Sequence, residues 1–329
     1  MKGVRRKEIS VIIPCFNCER TIGETLDSLL RQSFKNFTVI CVEDGSTDNT
    51  PVILQKWIQN NILDLVVINQ KNSGVSASRN VGIKACNTKY ITFLDSDDIF
   101  HRDFLNDLFY AAERNKADTA FCLLTRDRDV FDHSKKKNTV ELKTREQAMN
   151  DLLYKMGQIG FVCFMYSAEI VSKNNLLFAS NTKYGEDREF NWKYLCHARR
   201  ISFVNDNLYF YRINDFSATK TKPHWDRTDS IEAMVRVCAY MKTMQTPFLK
   251  RFKSFMVPRT MWSVAKDYSL FGDRLLFSRL ITTYAIRKEI AKLVFQKKAG
   301  FLVSISSLLF CIHPFIFFKI INHYGNHKQ

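Results

Sequence analysis

The sequence lacks the features of a secreted, disulfide-bonded or zinc-binding protein. The apolar run near its amino end, Val11 to Ile13, is far shorter than the core of a secretion signal, so we expect a cytoplasmic protein. Its nine cysteines show no disulfide framework and lie mostly in apolar runs, which is typical of buried thiols in a reducing compartment. Cys15 and Cys18 form one CxxC pair, but no second pair follows at the spacing of a zinc site. Packing therefore explains these cysteines better than metal binding.

The sequence also lacks internal repeats and low-complexity linkers, and it is short of acidic residues. Of its 329 residues, 46% are hydrophobic and 25% are charged, which suits one large folded domain or two modest ones. The 33 Asp and Glu residues against 49 Lys and Arg give a net charge of +16. This excess favours an anionic partner, namely nucleic acid, anionic lipid headgroups or phosphorylated substrates, and charge alone does not choose among them.

Residues 8–110 alternate between strand and helix patterns. Glu19 to Arg31 place four apolar side chains on one helical face, and Pro51 opens the next helix where its missing N–H costs nothing. Strands separated by helices indicate right-handed βαβ crossovers and a parallel sheet. The predicted strands are Ile9–Ile13, Phe37–Val42, Leu65–Asn69 and Tyr90–Leu94, and the third predicted helix is Ser76–Ala85.

After about residue 115 the sequence no longer alternates regularly between strand and helix patterns. Arg126–Lys143 is interpreted as a polar, charged surface loop, and residues 229–244 have the spacing of an amphipathic helix. We predict a first domain over residues 1–225, with halves 1–110 and 111–225, and a helical C-terminal region over 226–329. The predicted strands in this part are Thr119–Leu124, Phe161–Tyr166 and Leu208–Arg212.

The C-terminal part changes character twice. Residues 274–298 combine helical apolar spacing with many cations, which is typical of a helix that lies on an anionic membrane surface. Ala299 to Phe318 contains no Lys, Arg, Asp or Glu, and about twenty apolar residues are long enough to span a bilayer. Pro314 and several polar residues interrupt this run, so an in-plane or re-entrant hairpin is favoured over a span, a buried helix or an oligomer contact.

Acidic residues follow two of the predicted strands directly. Glu43 and Asp44 come after the second strand, and Asp95-Ser96-Asp97-Asp98 comes after the fourth. The carboxyl ends of parallel strands meet at one sheet edge, where open α/β sheets bind ligands. Paired carboxylates suit a divalent cation that also binds phosphate oxygens, which favours a site for a nucleoside diphosphate. A helix cap is the alternative for any single acid, and it is the interpretation for Asp48.

Four segments together resemble the motif series of family 2 glycosyltransferases. They are Ser10-Val11-Ile12-Ile13-Pro14-Cys15-Phe16-Asn17, Glu43-Asp44-Gly45-Ser46-Thr47-Asp48, Asn72-Ser73-Gly74-Val75-Ser76-Ala77-Ser78-Arg79-Asn80 and Asp95-Ser96-Asp97-Asp98. The resemblance covers residues 8–110 strongly and 150–220 more loosely. It implies the GT-A fold, a Rossmann-like α/β architecture with a mixed, mostly parallel sheet flanked by helices. It also implies an inverting enzyme that uses Mg²⁺ or Mn²⁺. The helical C-terminal region would follow as a membrane-associating tail.

The resemblance assigns a role to individual residues. Pro14 and Asn17 would line the nucleotide pocket, Asp44 would bind the base, most often uracil, and Asp97 with Asp95 would hold the metal ion. Gly74, Arg79 and Asn80 would shape the loop near the ribose and diphosphate, and the alternative for Arg79 is an ordinary residue on the surface of a helix. The implied nucleotide-sugar site as a whole comprises Pro14, Asn17, Glu43, Asp44, Gly74, Arg79, Asn80, Asp95, Ser96 and Arg212.

A later acidic segment resembles the part of the family that supplies the general base. In Tyr184-Gly185-Glu186-Asp187, Asp187 would deprotonate the acceptor hydroxyl, and Glu186 is the second choice. The alternative is a cluster of acids that stabilises the first turn of a helix. Arg212 lies in Tyr211-Arg212-Ile213-Asn214-Asp215-Phe216-Ser217, which resembles a loop that closes over the donor, although an ordinary strand end is equally compatible.

Two departures from the family refine the expected activity. The arginine loop has Ser78 where Ala is usual, and no Gln-x-x-Arg-Trp motif precedes any of the tryptophans considered, Trp192, Trp225 and Trp262. Processive members usually carry that motif, so we expect an enzyme that adds one sugar from a nucleotide donor, most often a UDP-sugar. The expected acceptor is a hydroxyl of a lipid-linked or cell-surface glycan, such as lipopolysaccharide, capsule or exopolysaccharide. The expected location is the inner face of the cell membrane.

Three other functions remain open from the sequence. A basic nucleic-acid-binding protein fits the net charge, although no known reader motif is present. A dinucleotide-binding oxidoreductase shares the βαβ order, but Pro14-Cys15-Phe16-Asn17 stands where its glycine-rich turn would be. A catalytically inactive scaffold of the same fold is the third, and the intact acidic residues disfavour it.

Overall fold

The computed structural model describes residues 7–133, 135–155, 157–213 and 222–326, and the chain divides into two compact units. The first unit comprises the chain up to Ser180 together with His197–Asn214. The second comprises Asn181–Cys196 and the chain from Asp215 onward. Residues 181–196 thus group with the C-terminal helices, while the domains predicted from the sequence, 1–225 and 226–329, stay predictions.

The first unit is built on one nine-stranded sheet in the order β3-β2-β1-β4-β8-β6-β9-β5, with β7 paired to β9. The pairings of β3, β2, β1 and β4 are parallel, and β8 turns the sheet antiparallel beside β4. This mixed sheet confirms the predicted fold class. The strands are β1 (Ile9–Cys15), β2 (Phe37–Glu43), β3 (Leu65–Asn69), β4 (Tyr90–Phe93), β5 (Ile99–Phe100), β6 (Thr119–Thr125), β7 (Val140–Thr144), β8 (Phe164–Ser167) and β9 (Arg200–Phe210).

Seven helices accompany this sheet in the described part of the first unit. The apolar faces of the first and fourth helices are buried. A Cβ built on Gly82 would lie 2.3 Å from Cγ2 of Ile12, so only glycine lets the third helix approach β1 this closely. The helices are α1 (Ile22–Leu30), α2 (Thr50–Asn60), α3 (Val75–Ala85), α4 (Phe104–Asn115), α5 (Arg128–His133), α6 (Arg145–Tyr154) and α7 (Ala168–Lys173). The helices and strands predicted over residues 8–110 are therefore present, with ends shifted by up to three residues.

The structure corrects the prediction between residues 115 and 212. The segment Arg126–Lys143 contains α5 and most of β7 rather than only a loop, because β7 pairs antiparallel with β9 although its side chains are mostly exposed. The strand predicted over Phe161–Tyr166 begins with a 3₁₀ turn at Phe161–Cys163. The strand predicted at Leu208–Arg212 is the end of the longer β9.

The second unit is helical in its described residues. Trp192 packs between the rings of Phe248 and Phe252, at centroid distances of 6.0 and 4.8 Å, and this contact anchors the first helix of the unit. The helices are α8 (Glu186–Leu195), α9 (Asp229–Thr243), α10 (Leu249–Leu270), α11 (Arg274–Thr283), α12 (Ile286–Ala291), α13 (Phe301–Ile312) and α14 (Pro314–Asn326).

The basic and apolar segments near the C-terminus are both broken. Residues 274–298 form α11 and α12 and enter a 3₁₀ turn, rather than one long basic helix, and Tyr284 between the two helices is extended. The apolar run divides at His313, which is also extended, so α13 and α14 are separate helices. Among the residues that the structure describes, no helix is both long enough and apolar enough to cross a membrane.

Candidate functional site

The loops after β1 and β2 are joined at the carboxyl edge of the sheet. The side-chain Oδ1 of Asn17 accepts a hydrogen bond from the Thr47 amide at 2.8 Å, and the Asn17 amide donates to Ser46 Oγ at 3.0 Å. Asn17 adopts a φ of +47°, which asparagine tolerates better than most residues. Pro14 lies opposite Val42 in the parallel ladder. Pro14 and Asn17 therefore stand beside the acids at the end of β2, and their place in a nucleotide pocket stays a prediction.

Glu43 shapes the turn that follows it. Its carboxylate accepts hydrogen bonds from the amides of Ser46, at 2.6 Å, and Gly45, at 3.2 Å, and the residue is 6% exposed. A Cβ on Gly45 would lie 2.8 Å from the Asn72 amide nitrogen, and Gly45 has a φ of +70°. Glu43 thus fixes a glycine turn that lies against the loop before α3.

Asp44 organises the loop that precedes α3. Its Oδ1 accepts hydrogen bonds from Gln70 Nε2 at 2.6 Å and the Ser73 amide at 2.8 Å, and its Oδ2 accepts one from the Gly74 amide at 2.9 Å. Gly74 has a φ of +87°, a conformation that favours glycine. A carboxylate can accept about four hydrogen bonds, so Asp44 has the capacity for one further donor. This arrangement is compatible with the base-binding role that the resemblance implies.

Arg79 is a buried residue and not part of a helix surface. It is 4% exposed, its Nη2 lies 2.9 Å from Oδ1 of Asp95, and its guanidinium lies 4.5 and 5.3 Å from the ring centres of Phe161 and Phe178. Arginine stacks favourably on aromatic faces while it pairs with a carboxylate. Arg79 therefore orients Asp95, and the two phenylalanines that hold it were not predicted.

Asn80 fixes a distant segment of the first unit. Its side chain donates to the Phe178 carbonyl at 2.9 Å and accepts from the Phe178 amide at 2.8 Å, across 98 residues of sequence. Because Phe178 covers the guanidinium of Arg79, Asn80 indirectly supports the position of Asp95. Asn80 therefore supports the site structurally, in addition to its predicted place in the nucleotide-sugar site.

We expect Asn80→Ala to lower the free energy of unfolding by about 2 kcal/mol, since two backbone groups at Phe178 lose their partner. Chemical denaturation of the variant and the wild type measures this difference. Asn60→Ala, at the exposed end of α2, is the control, for which we expect a smaller effect. Equal stabilities for Asn80→Ala and the wild type would show that neither hydrogen bond contributes.

Residues Asp95–Asp98, which follow β4 after Leu94, form an acidic loop. Asp98 is its buried member, 1% exposed, and its carboxylate accepts hydrogen bonds from the Tyr209 hydroxyl at 2.6 Å and the Arg212 amide at 2.8 Å. Burial, together with the negative charges of Asp95 and Asp97, raises the pKa of Asp98 well above its ordinary value. Asp98 therefore anchors the loop from within, and Asp95 and Asp97 remain half-buried at its surface.

Two further residues hold the acidic loop: Thr25, which was not predicted, and Arg212, which belongs to the predicted site. The hydroxyl of Thr25, on α1, donates to the carbonyls of Ser96 and Asp98, each at 3.0 Å. Arg212 Nε donates to the Asp97 carbonyl at 2.8 Å, and the same guanidinium pairs with Glu24. The hydrogen bond from Arg212 to Glu24 lowers the pKa of the Glu24 carboxyl. Arg212 thus reaches the predicted metal-binding loop, whereas Asn214–Ser217 of its segment lie outside the described residues.

The residues of the acidic loop fit a divalent cation that arrives with a substrate. Among the described residues, no group of three or more His, Cys, Asp or Glu side chains forms a ready-made metal cage. Mg²⁺ is usually held by one or two carboxylates together with substrate phosphates and water, and Asp95 and Asp97 provide two. The negative charges of Asp95 and Asp97 lie close enough to Asp98 to add to the effect of its burial, which is the main cause of its raised pKa. The donor set therefore suits a cation whose other ligands come from a diphosphate.

The two candidates for the general base lie in the second unit, in the first turn of α8. Glu186 is 8% exposed, whereas Asp187 is half-buried and its Oδ1 accepts a hydrogen bond from the Arg188 amide at 2.7 Å. Gly185 caps the helix with a φ of +89°, and a Cβ there would lie 3.0 Å from Cα of Ser230. The greater exposure of Asp187 favours it over Glu186 as the residue that can reach a substrate.

A third acid of α8 has a structural role that was not predicted. Glu189 is 2% exposed, and its carboxylate pairs with Arg236 at 2.7 Å and with Lys193 at 2.7 Å. The i,i+4 spacing from Glu189 to Lys193 is visible in the sequence, but the pairing with Arg236 is not. The alternative interpretation of this segment, in which its acids have a structural role in the helix, therefore applies to Glu189.

Comparisons with known proteins agree on one enzyme family. The family model described as glycosyl transferase family 2 matches residues 10–174. The uncharacterized glycosyltransferase EpsJ of Bacillus subtilis is 30% identical over 241 residues, which cover 70% of this chain and 69% of EpsJ. The poly(ribitol-phosphate) beta-N-acetylglucosaminyltransferase TarP of Staphylococcus aureus is 30% identical over 223 residues, which cover 65% of each protein. The chain spans 32% of the length of another relative, GlyA of Streptococcus pneumoniae.

Solved structures show the same fold. The crystal structure of Staphylococcus aureus TarS residues 1–349 matches with a TM-score of 0.67 at 21% identity, covering 98% of this chain and 92% of that one. TarS 1–349 has also been solved in complex with UDP-GlcNAc, and that structure matches with a TM-score of 0.65 at 21% identity over the same shares of the two chains. At this level of identity the match establishes the fold and not the substrate.

Proposed function

The chain belongs to glycosyltransferase family 2, and on that premise we propose that it transfers one sugar, with inversion, from a UDP-sugar to a hydroxyl of a cell-surface or lipid-linked glycan. The proposal rests on two hydrogen-bonded loops that lie at the same edge of the sheet. They are the Asp44 loop and the acidic loop Asp95–Asp98. TarS has been solved with UDP and with UDP-GlcNAc, which supports a UDP-sugar donor.

The donor would lie along this edge with its base at Asp44 and its diphosphate at the acidic loop. Asp97 and Asp95 would hold a divalent cation, Mg²⁺ or Mn²⁺, which when bound offsets the negative charge that develops on the leaving diphosphate. A mannosyltransferase of the same fold, from Pyrobaculum calidifontis, has been solved with GDP-Man and Mn²⁺. Arg79 keeps Asp95 in place, and Arg212 holds the backbone of Asp97.

Asp187 would act on the acceptor. Its carboxylate takes the proton of the acceptor hydroxyl while the hydroxyl oxygen forms a bond to the anomeric carbon. The bond between that carbon and the diphosphate oxygen breaks on the opposite face, so the configuration inverts and the leaving group departs as UDP. Glu186 is more deeply buried and is the second choice for this role.

We propose that the protein works at the inner face of the cell membrane, and an apolar surface in the second unit supports this location. Phe295 is 93% exposed, and α13 turns one row of large apolar side chains outward. This row, here the α13 outer face, consists of Phe301, Leu302, Ile305, Leu308 and Ile312. Residues 290–329 contain no acidic residue, and Lys297 and Lys298 directly precede the helix. Apolar side chains next to cations suit an anionic bilayer, on which α13 would lie in the plane.

We expect the double variant Phe301→Asp with Leu302→Asp to bind anionic phosphatidylserine vesicles at least about tenfold more weakly, because two large side chains no longer enter the bilayer. Vesicle sedimentation measures this binding. The control is Ile62→Asp, which introduces the same acid at an apolar position of the first unit that is 54% exposed. This variant should bind as the wild type does. Unchanged vesicle binding, with a lower oligomeric state of the double variant, would instead identify the α13 outer face as a contact between copies.

The function itself is tested by nucleotide binding and by transfer. We expect UDP with Mn²⁺ to raise the melting temperature by several degrees, and NAD or single-stranded DNA to leave it unchanged, since ligand binding stabilises only the folded state. A screen of UDP-sugars for release of UDP, with Mn²⁺ present and then chelated, identifies the donor and the metal requirement. Stabilisation by NAD or DNA but not by UDP would refute the proposal.

A further inference from the structure

A small pocket lies in the first unit between α1, α5 and β5, the last strand in the order of the sheet. Its volume is about 260 Å³. Its floor is apolar, because Ile99, Phe100 and Phe131 line it and are only 4%, 2% and 7% exposed. We call it the arginine pocket, since its charged lining consists of three arginines and one carboxylate, namely Arg31, Arg102, Arg128 and Asp132. None of these residues belongs to the predicted nucleotide-sugar site.

Hydrogen bonds join the two segments that carry Arg31 and Arg102. The Ser33 amide donates to the Arg102 carbonyl at 2.8 Å, and Gln32 Nε2 donates to the His101 carbonyl, also at 2.8 Å. The residues that follow Arg31 are thus tied to the residues around Arg102. Both arginine side chains therefore extend from backbone that is held in place beside the pocket.

Arg128 is the arginine whose guanidinium is already fixed. It lies 5.2 Å from the ring centre of Phe210 and 5.9 Å from that of Phe131. Its Nε is 2.7 Å from Oδ2 of Asp132, and its Nη1 is 3.3 Å from Oε1 of Glu24. An arginine that stacks on rings and pairs with a carboxylate loses little further freedom when it binds an anion. Arg128 also occupies Asp132, the one carboxylate of the pocket.

The other two arginines have no carboxylate within hydrogen-bonding distance among the residues that the structure describes. Arg102 Nε is 3.8 Å from Oδ1 of Asp103, and that carboxylate already accepts a hydrogen bond from Lys136 at 3.1 Å. Arg31 is exposed and forms no ion pair within the same described part of the chain. Burial lowers the pKa of His101, which also lines the pocket, so this side chain is neutral at pH 7. The lining therefore has a surplus of positive charge.

We propose that the arginine pocket binds a phosphate group. The oxygens of a phosphate accept hydrogen bonds from several guanidinium groups at once, in a geometry that arginine matches better than lysine. The apolar floor lowers the local dielectric, which strengthens each charge-assisted hydrogen bond. Sites for drug-sized ligands have volumes of about 300–1,000 Å³, so a cavity of about 260 Å³ suits one phosphate with at most a small group attached.

The arginine pocket lies next to the acidic loop without including its acids. Glu24 pairs with Arg128 of the pocket and also with Arg212, which donates a hydrogen bond to the Asp97 carbonyl at 2.8 Å. One chain of ionic contacts thus connects the pocket with the loop. The proposal goes beyond the proposed function and does not depend on it, because none of its observations concerns the donor or the base. The phosphate is either a free ion or a monoester, and the experiment distinguishes these sources.

The test measures binding of inorganic phosphate to the full chain by equilibrium dialysis, with EDTA present so that no metal ion links phosphate to the acidic loop. We expect Arg31→Gln and Arg102→Gln each to weaken this binding about tenfold, since each removes charge-assisted hydrogen bonds to phosphate. Arg31→Lys keeps the charge and should lose less. Arg114→Gln is the matched control, because Arg114 is also an exposed arginine near a ring, 5.5 Å from the centre of Tyr110, and does not line the pocket.

The variants separate the arginine pocket from other places where phosphate could bind. Weaker binding in Arg31→Gln and Arg102→Gln, with wild-type binding in Arg114→Gln and Asp97→Asn, supports the proposal. Binding that is absent, or equal in every variant, overturns it. Binding that is lost in Asp97→Asn places the phosphate at the acidic loop and also overturns it. Arg31 and Arg102 are both exposed, so their variants should melt as the wild type does.

Two further ligands define what the arginine pocket recognises. Acetate that competes with phosphate at equal concentration would show a general anion surface and overturn the proposal. Glycerol phosphate that binds more tightly than inorganic phosphate supports the pocket and identifies a monoester as its ligand. Glycerol phosphate that binds equally or more weakly supports the pocket and identifies the free ion, provided that the two arginine variants lose binding.

Discussion

Replacement of Asp97 by asparagine is expected to lower the rate of sugar transfer by about a thousandfold or more. Asparagine keeps the size of the side chain but removes the negative charge that would hold the divalent cation, and metal ions contribute several kcal/mol to the stabilisation of developing charge. The backbone of the loop is held separately, by Arg212 and by the buried carboxylate of Asp98. The variant should therefore fold normally and lose activity alone, which release of UDP in a coupled assay measures.

The matched control for this experiment is Asp64→Asn. Asp64 is half-exposed, pairs with Lys7 at 3.2 Å and lies directly before β3, at the opposite edge of the sheet from the acidic loop. Its substitution removes the same charge without touching the site, so activity should stay within about twofold, as is usual for a surface ion pair. If the Asp97→Asn variant transferred sugar as fast as the Asp64→Asn variant, Asp97 would not be a ligand of the metal ion.

The part of the fold that the sequence predicts well is the part in which neighbours in sequence are neighbours in space. Each of the strands β1, β2 and β3 is followed by a helix and then by a strand of the same parallel sheet, so hydrophobic periodicity and glycine-rich turns carry the information. The acidic loop follows from the same logic, because it ends a buried strand. β7 escaped prediction because its alternation of apolar and polar residues is only five residues long and follows a lysine-rich run, and its apolar side chains, Val140 and Leu142, are exposed.

The contacts that complete the site depend on long-range packing. Glu24 and Arg212 are 188 residues apart, and nothing in either local sequence indicates that they pair. The same holds for the two phenylalanines around Arg79 and for the hydroxyl of Thr25 on the acidic loop. A motif identifies which residue types a site needs, whereas the residues that hold them in place come from whichever elements the sheet order brings alongside.

The second large effect is expected for Asp187→Asn, which should reduce transfer by about a hundredfold to ten-thousandfold, the range that a general base contributes. Asparagine retains an oxygen that can accept the hydrogen bond from the Arg188 amide, so the start of α8 should lose less than about 1 kcal/mol of stability. Donor binding should not change, because this role concerns only the acceptor. Activity, thermal melting and stabilisation by UDP with Mn²⁺ are measured on the same preparation.

Glu186→Gln distinguishes catalysis by Asp187 from a general need for acids in the first turn of α8. If negative charge at the helix start were all that mattered, the two substitutions would have similar effects, since both acids lie in that turn. A base must reach the hydroxyl it deprotonates, and Glu186 is 8% exposed whereas Asp187 is half-buried. We therefore expect Glu186→Gln to retain most transfer activity. The reverse result, with Glu186→Gln inactive and Asp187→Asn active, would assign the base to Glu186, and two active variants would exclude both acids.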